Sequence, residues 1–266
     1  MKKKQLENFR KWFSDFVAGF YGNDEYVNNN IRLKEVHTEH VCREMSWLTS
    51  QVGIAQPDTL IADAIALFHD IGRFEQFKRH RTYVDFRSIN HCILGLQVLE
   101  SHNVLSALAE REKRIINTAI KLHGLKQLPA ALDEETAVFA ALIRDADKLD
   151  IYRVVIDAYR QYRDDPENFN LELEFDDNPY CSRRVIDAVL AQKRLSYSDL
   201  ETLSDYKLLM LTWIYDVNYT ATLERIKQRQ FIQDVQELLP DTEEMTKIIQ
   251  VTENYINQKI SSQSQG

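Results

Sequence analysis

The chain has 266 residues, a mass of 31.2 kDa and a formal net charge of -8 at pH 7. This acidic balance disfavours nucleic acid or an anionic membrane surface as a partner, because both require a basic face. With only 7 Gly and 5 Pro and no run of 18 apolar residues, the sequence predicts long helices and no membrane span.

Apolar residues at spacings of three and four predict six helices in the first part of the chain. These helices are predicted at 5–21, 31–51, 57–72, 89–100, 106–123 and 134–163. Residues 73–87 show no clean period and are predicted to form a loop or short turns. Ser88 is the predicted N-cap of the helix that follows them.

The remaining sequence predicts an acidic loop or lid and then further helices. Residues 164–180 are acidic, and the LELEF within them has no obvious partner strand. The predicted organisation is a core with its N-terminal helix at 1–163, the loop at 164–180, a C-terminal helical extension at 181–260 and a disordered tail at 261–266. Whether the extension packs on the core or forms a separate dimerising bundle stays open, so a homodimer is one of the alternatives.

Several polar groups lie at the ends of apolar helical stretches. His69 and Asp70 follow IALF, His123 ends IINTAIKLH, and Asp147 follows FAALIRDA. His91 lies within a largely apolar helix. Burying such groups without partners costs several kcal/mol each, about 2–7 by the general rule. A shared metal ion removes that cost, because imidazole and carboxylate are common metal ligands.

The motifs KEVHTEHV, ALFHDIGRF and RDADKLD resemble those of the HD-domain superfamily of metal-dependent phosphohydrolases. The resemblance covers about residues 30–155. It implies an all-α fold, an HD-domain helical bundle with additional C-terminal helices. It also implies that His37, His69, Asp70 and Asp147 are metal ligands.

Two more histidines match an extended, six-ligand version of this pattern, which is found in the HD-GYP phosphodiesterases. They are His91 in NHCILG and His123 in KLHG. The GYP-type signature itself is missing, because FEQF follows HDIGR. Specificity for cyclic dinucleotides therefore does not carry over.

Some residues compete for the same role. His37 and His40 lie three apart on one helix face, and the family pattern selects His37 as the ligand. His40 is then a substrate-binding candidate that contacts phosphate, a group that supports a ligand, or simply a neighbour. Asp145 and Asp147 point to nearly opposite sides of a helix, and the pattern selects Asp147, which places Asp145 at the surface. His80 and His102 have no motif support. Cys42 and Cys92 are interpreted as core thiols.

The ligand set predicts two divalent ions, of Mn, Fe, Mg, Ni or Zn, bridged by Asp70. A hydroxide activated by the two ions would attack phosphorus. Arg73 is predicted to clamp a phosphate oxygen as a catalytic and substrate-binding residue, and Lys148 is a further substrate-binding candidate. Asp150 is predicted either to orient a ligand or to pair with Arg153.

The predicted function is hydrolysis of a phosphoester of a small, nucleotide-like substrate. Two alternatives stay open on the sequence: a di-iron oxygenase of the HD type, and a nucleotide-binding HD sensor without catalysis. The N-terminal MKKKQLENFRKWF lacks the apolar segment of a signal peptide, and three scattered cysteines fit a reducing compartment. A cytoplasmic protein without membrane contact is therefore expected.

Overall fold

The computed structural model describes residues 1–172, 175 and 178–263, and every regular element in these residues is helical. The all-α prediction is confirmed. The chain divides into two compact units, Met1–Asp150 with Asn170–Glu172, and Ile151–Phe169 with Leu173–Gly266. No helix among the described residues is long and apolar enough to cross a membrane.

The first unit is a bundle of helices around an apolar core. Helix α2 packs against α3, and α4 packs against α5. The helices are α1 (Lys3–Ala18), α2 (Glu25–Val52), α3 (Asp58–Phe68), α4 (Ile71–His80), α5 (His91–Ser101), α6 (Glu110–His123) and the first part of α7 (Glu134–Asp164).

Local signals define the ends of α2, the longest helix that lies wholly within this unit. The Asp24 carboxylate accepts a hydrogen bond from the Val27 amide and so caps its N-terminus. Gly53 ends it with a left-handed backbone at φ 76°, which glycine adopts without steric cost. Val41, Met45 and other apolar side chains of α2 are fully buried, so this helix is a central element of the core.

The chain passes from α3 to α4 through the His69-Asp70 pair. His69 is the C-cap of α3, and Asp70 is the N-cap of α4. The single helix predicted over 57–72 is therefore two helices. The break allows two adjacent side chains to reach one point, which an uninterrupted helix does not permit because neighbouring residues diverge by about 100°.

Helices α4 and α5 approach each other at two glycines. A Cβ atom on Gly72 would lie 2.2 Å from the His91 carbonyl oxygen and 2.5 Å from the Gly95 amide nitrogen. Neither glycine has a positive φ, so close packing is what requires them. The contact fixes the position of His91, the first residue of α5.

The segment 73–87 differs from its prediction as a loop. Its first part belongs to α4, where Phe74 and Phe77 are fully buried at a spacing of three. This apolar face is hard to recognise in sequence because basic residues surround it over only ten residues. Asn90, not Ser88, caps α5 by accepting from the Ile93 amide. The Ser88 hydroxyl instead donates to the Val84 carbonyl.

The second unit is also helical. Tyr152 lies in its core, where the hydroxyl donates to the Met210 carbonyl at 2.7 Å and the ring stacks on Phe231. Tyr152 therefore contributes to packing within this unit. Within the helical extension predicted at 181–260, a 3-10 turn at Trp213–Asp216 interrupts the helical pattern. Its helices are the end of α7, α8 (Arg183–Leu190), α9 (Leu203–Thr212), α10 (Thr220–Gln228), α11 (Phe231–Gln236) and α12 (Glu243–Gln263).

The outcome for the predicted loop and tail is mixed. Residues 173, 174, 176 and 177 of the predicted loop and 264–266 of the predicted tail lie outside the described residues. Pro166–Asn168 forms a 3-10 turn within the loop. The predicted disorder is wrong for residues 261–263, because α12 continues to Gln263.

Replacing Gly72 by alanine is expected to destabilise the protein strongly. The new Cβ would overlap backbone atoms of α5, and overpacking of this kind costs about 1–3 kcal/mol or more. The free energy of unfolding from chemical denaturation should fall by at least about 2 kcal/mol. Gly22→Ala is the control, since nothing lies within 4 Å of its Cβ position. Equal stability of the two variants would contradict the close packing.

Candidate metal centre

The site is built around the buried carboxylate of Asp70, whose two oxygens face different groups of side chains. Its side chain is 5% exposed. Oδ2 lies 3.7 Å from His37 Nε2 and 3.6 Å from His69 Nε2. Oδ1 lies 3.5 Å from His91 Nε2 and 3.7 Å from His123 Nε2. We call these the first and the second histidine pair.

The first pair is completed by Asp147 from α7. Its Oδ1 lies 3.1 Å from His37 Nε2 and 3.8 Å from His69 Nε2. The two Nε2 atoms of the pair are 3.4 Å apart. Asp147 is also the most exposed of the six predicted ligands, at 28% of its side chain.

The second pair comes from two helix ends. His91 begins α5 and His123 ends α6, and their Nε2 atoms are 3.2 Å apart. Both side chains are almost fully buried. The structure therefore brings all six predicted ligands into one cluster within the first unit.

Two of the histidines are anchored by carboxylates. His37 Nδ1 donates to Asp150 at 2.8 Å, and His91 Nδ1 donates to Asp85 at 2.7 Å. The expected orienting role of Asp150 thus has a contact that supports it. Since an ionised carboxylate only accepts, each contact fixes a proton on Nδ1 and leaves Nε2 to face Asp70.

The other two histidines are anchored by backbone carbonyls in their own helices. His69 Nδ1 donates to the Ala66 oxygen at 2.8 Å, and His123 Nδ1 donates to the Ile120 oxygen at 2.7 Å. All four imidazoles therefore have an occupied Nδ1 and an Nε2 directed inward. Metal-binding histidines in proteins are held in this way.

The inward-facing atoms have spacings that suit shared ions. Two ligands at about 2.1 Å from one ion lie about 3.0–3.4 Å apart at angles between a right angle and the tetrahedral angle. The Nε2 pairs at 3.4 and 3.2 Å fall within that interval. Neutral imidazoles in this arrangement direct their Nε2 lone pairs at each other, and these lone pairs repel. A positive charge at the centre of the cluster removes that repulsion. The donor set therefore fits divalent cations.

The carboxylates of the cluster favour the charged form. Burial raises the pKa of Asp70, but Lys34 and His69 outweigh it and hold that pKa well below its usual value. Burial also opposes ionisation of Asp147, whose pKa is nevertheless lowered by hydrogen bonding to His37 and, at acid pH, by attraction to the protonated His69 ring. Both groups are thus negatively charged at neutral pH.

The imidazoles differ among themselves. Burial lowers the pKa of His69 to about 4, so its ring is neutral at pH 7. For His37, burial and Lys34 act downward, but hydrogen bonds to Asp147 and Asp150 raise the pKa overall. Burial thus dominates at His69, whereas the hydrogen-bonded carboxylates dominate at His37.

Arg73 lies beside the centre and contacts its carboxylates. Nε is 3.4 Å from Asp70 Oδ1, and Nη1 donates to Asp85 at 2.9 Å, to Gln76 and to the Tyr83 carbonyl. These contacts hold Asp85 where it anchors His91. Arg73 thus has a bracing role that the sequence did not indicate.

Other basic residues of 73–87 have partners as well. Arg79 pairs with Glu75 at 2.9 Å, and Arg81 pairs with Asp24 at 2.8 Å. Because both charges are compensated, Arg79 and Arg81 give no reason by themselves to expect an anion at the centre. The expectation of an anionic substrate therefore rests on the charge of the metal centre itself.

The other two substrate-binding candidates, His40 and Lys148, have different surroundings. His40 is 31% exposed, and its Nδ1 lies 3.2 Å from Asp150. Lys148 is largely buried, with Nζ donating to the Arg144 carbonyl. Among the remaining histidines, His80 is exposed on α4, and His102 packs edge-on against aromatic rings of α1.

The surface position predicted for Asp145 is wrong, because this residue is fully buried. Residues 142–146 and 148–150 of α7 are all buried, so both sides of the helix face protein. Two carboxylates at i and i+2 can then both be inside, and the argument from opposite sides fails. The partly exposed Asp147 is the one beside His37.

Three important residues escaped the sequence analysis. Lys34 donates to Asp70 Oδ2 at 2.9 Å while 8% exposed, and its position three before His37 on one helix face was the available signal. Asp85 lies in the segment 73–87, where no periodic pattern marks it. Cys92 lies 3.4 Å from His91 Nε2, and its proximity to His91 and His123 lowers its pKa to about 5 against the effect of burial.

Comparison with known proteins adds no assignment, since no protein-family model, curated protein or solved structure matches the chain. The HD-domain resemblance therefore stays an interpretation of the motifs. What the structure establishes, within the described residues, is two buried groups of possible metal ligands. These are His37, His69 and Asp70, and His91, Cys92 and His123.

Asp150→Asn is expected to weaken metal binding about 10–100-fold, the usual cost of losing a carboxylate behind a metal-bound histidine. The amide retains the shape but no longer stabilises the His37 ring as a charged acceptor does. Competition with a chromophoric chelator measures the affinity. Asp157→Asn, an exposed site on the same helix, is the control. Unchanged affinity in Asp150→Asn would show that the His37 contact serves folding alone.

Proposed function

We propose that this protein is a metal-dependent phosphohydrolase of the HD-domain type, acting on a phosphoester of a small, nucleotide-like substrate. The observation that carries the proposal is the arrangement of four imidazoles around Asp70, each anchored at Nδ1 and directed inward through Nε2. A purely structural cluster would not need all four lone pairs to face one buried carboxylate.

The proposed metal ligands fall into two sets. His37, His69, Asp147 and Asp70 Oδ2 form the first, and His91, His123 and Asp70 Oδ1 form the second. When bound, divalent ions supply Lewis acidity and lower the pKa of water, which makes hydrolysis feasible at neutral pH. The chain contributes by keeping each donor in the required orientation before substrate arrives.

The charge of such a centre favours an anionic substrate. Two divalent ions against the carboxylates of Asp70 and Asp147 leave a formal charge of about +2. Around them, the positive charges of Lys34 and Arg73 offset the negative charges of Asp85 and Asp150. The excess positive charge therefore remains available to phosphate oxygens, on which negative charge builds in the transition state.

Partly exposed side chains lie on both sides of the centre. Asp147 and His40 are partly exposed beside the first pair, and Asp85 is partly exposed beside the second. We assign a phosphate contact to His40, which lies next to Asp150, and to Lys148, which follows Asp147 in the chain. Arg73 contributes by holding Asp70 and Asp85 in place. Its predicted contact with a phosphate oxygen is a second role beside this one.

The net charge of the whole chain favours a small substrate over a long polyanion. A net charge of -8 repels a long polyanion outside the site. A single phosphoester meets the local positive charge without that penalty. Small substrates are therefore favoured over nucleic acid.

Metal content tests whether the second histidine pair binds an ion. His91→Ala and His123→Ala should each lower the content from two ions per chain towards one, because each removes an inward-facing donor. Elemental analysis of protein purified without chelator gives the ratio, and His80→Ala is the control. Wild-type content in both variants would make the pair structural and the centre mononuclear.

Activity tests the reaction. The full chain loaded with Mn²⁺, Fe²⁺, Mg²⁺ or Ni²⁺ is expected to hydrolyse at least one compound among nucleoside mono- and triphosphates, cyclic nucleotides and an aryl phosphate. Asp70→Asn should abolish turnover while Asp15→Asn, on the exposed face of α1, retains it. Lack of phosphoester cleavage with every metal, combined with oxygen uptake by the iron form, would replace hydrolysis by the oxygenase alternative.

A further inference from the structure

The thiol of Cys92 lies beside both rings of the second pair. Its Sγ is 3.4 Å from His91 Nε2 and 3.5 Å from His123 Nδ1, and the residue is 2% exposed. A cysteine that only fills a core normally contacts apolar groups. This sulfur instead faces the same ring nitrogen of His91 that faces Asp70.

The local backbone leaves room for that sulfur. A Cβ atom on Gly124 would lie 3.0 Å from Cys92 Sγ and 3.3 Å from His91 Cε1. Gly124 has φ -80°, a value open to any residue, so its backbone does not require glycine. Glycine at this position therefore leaves room for the Cys92 thiol and the His91 imidazole, which a Cβ atom would crowd.

The thiol is not needed to satisfy the rings beside it. The Nδ1 atoms of His91 and His123 already donate to Asp85 and to the Ile120 carbonyl. A sulfur at about 2.3 Å and a nitrogen at about 2.1 Å from one tetrahedral ion lie about 3.6 Å apart. The observed 3.4 Å between Sγ and His91 Nε2 is close to that separation.

We propose that Cys92 is a ligand of the ion held by the second pair, which makes this half of the centre a thiolate site for Zn²⁺ or Fe²⁺. Its donors are His91 Nε2, His123 Nε2, Cys92 Sγ and Asp70 Oδ1. On binding, the thiol releases its proton to solvent and the sulfur donates its electron pair to the ion. No oxidation or reduction takes place.

This assignment rests on the metal centre of the proposed function and makes its two halves chemically different. The first set contains only nitrogen and oxygen donors, which accept Mg²⁺ or Mn²⁺ as well as Zn²⁺. A thiolate favours softer ions, so Mg²⁺ should be a poor occupant of the second set. The bound thiolate also lowers the formal charge of the loaded centre by one.

Cobalt substitution tests the sulfur ligand directly. The full chain loaded with Co²⁺ should show a near-ultraviolet thiolate-to-cobalt charge-transfer band together with the visible bands of the ion. Cys92→Ser should lose the charge-transfer band and retain the visible bands of the ion in the first set. The doubly substituted Cys42→Ser/Cys181→Ser chain, in which Cys92 is the remaining cysteine, should keep the full band.

The outcomes separate this inference from the function on which it rests. Visible cobalt bands without charge transfer in the wild type would refute ligation by Cys92 and leave the metal centre standing. Failure to bind Co²⁺ at all would remove both. If Cys92→Ser does not fold, the Cys42→Ser/Cys181→Ser chain still tests ligation by Cys92. A charge-transfer band in that chain arises from Cys92, and absence of the band overturns the assignment.

Discussion

The structure depends on one buried carboxylate that serves two pairs of imidazoles at once. Asp70 has neighbours on both oxygens, and Lys34 adds an ammonium group to one of them. A buried charge is tolerated only with compensating charge and hydrogen bonds, so the helices that supply these groups have to converge. Five elements of the first unit, α2, α5, α6, α7 and the α3–α4 junction, are therefore held in fixed relation by the same requirement.

Helix ends provide the geometry for this convergence. His69 and Asp70 lie between two helices, His91 is the first residue of α5, and His123 is the last residue of α6. At a helix end the backbone no longer constrains side chains to one face, so donors from different directions can meet. The Gly72 contact adds the close helix approach without which α5 would stand further from Asp70.

Five of the six proposed ligands could be noticed in the sequence because they are polar residues within or at the end of apolar helical stretches. The resemblance to HD-domain motifs added His37 and chose Asp147 over Asp145, and the structure brings all six together. The residues that orient them could not be selected. Asp85 anchors His91 across a loop, and Asp150 reaches α2 from α7, so neither contact leaves a periodic signal. Asp145 was misplaced because α7 is enclosed on both sides, a tertiary property that a helical wheel does not contain.

The anchoring of the four rings has a consequence for how strongly each would bind an ion in the proposed centre. A carboxylate behind an imidazole increases the electron density on its free nitrogen more than a peptide oxygen does. His37 and His91 have carboxylate anchors, while His69 and His123 have peptide anchors, so each pair combines one stronger and one weaker base. In donor strength the proposed centre thus has an approximate twofold symmetry through Asp70, which Asp147 on one side and Cys92 on the other disturb.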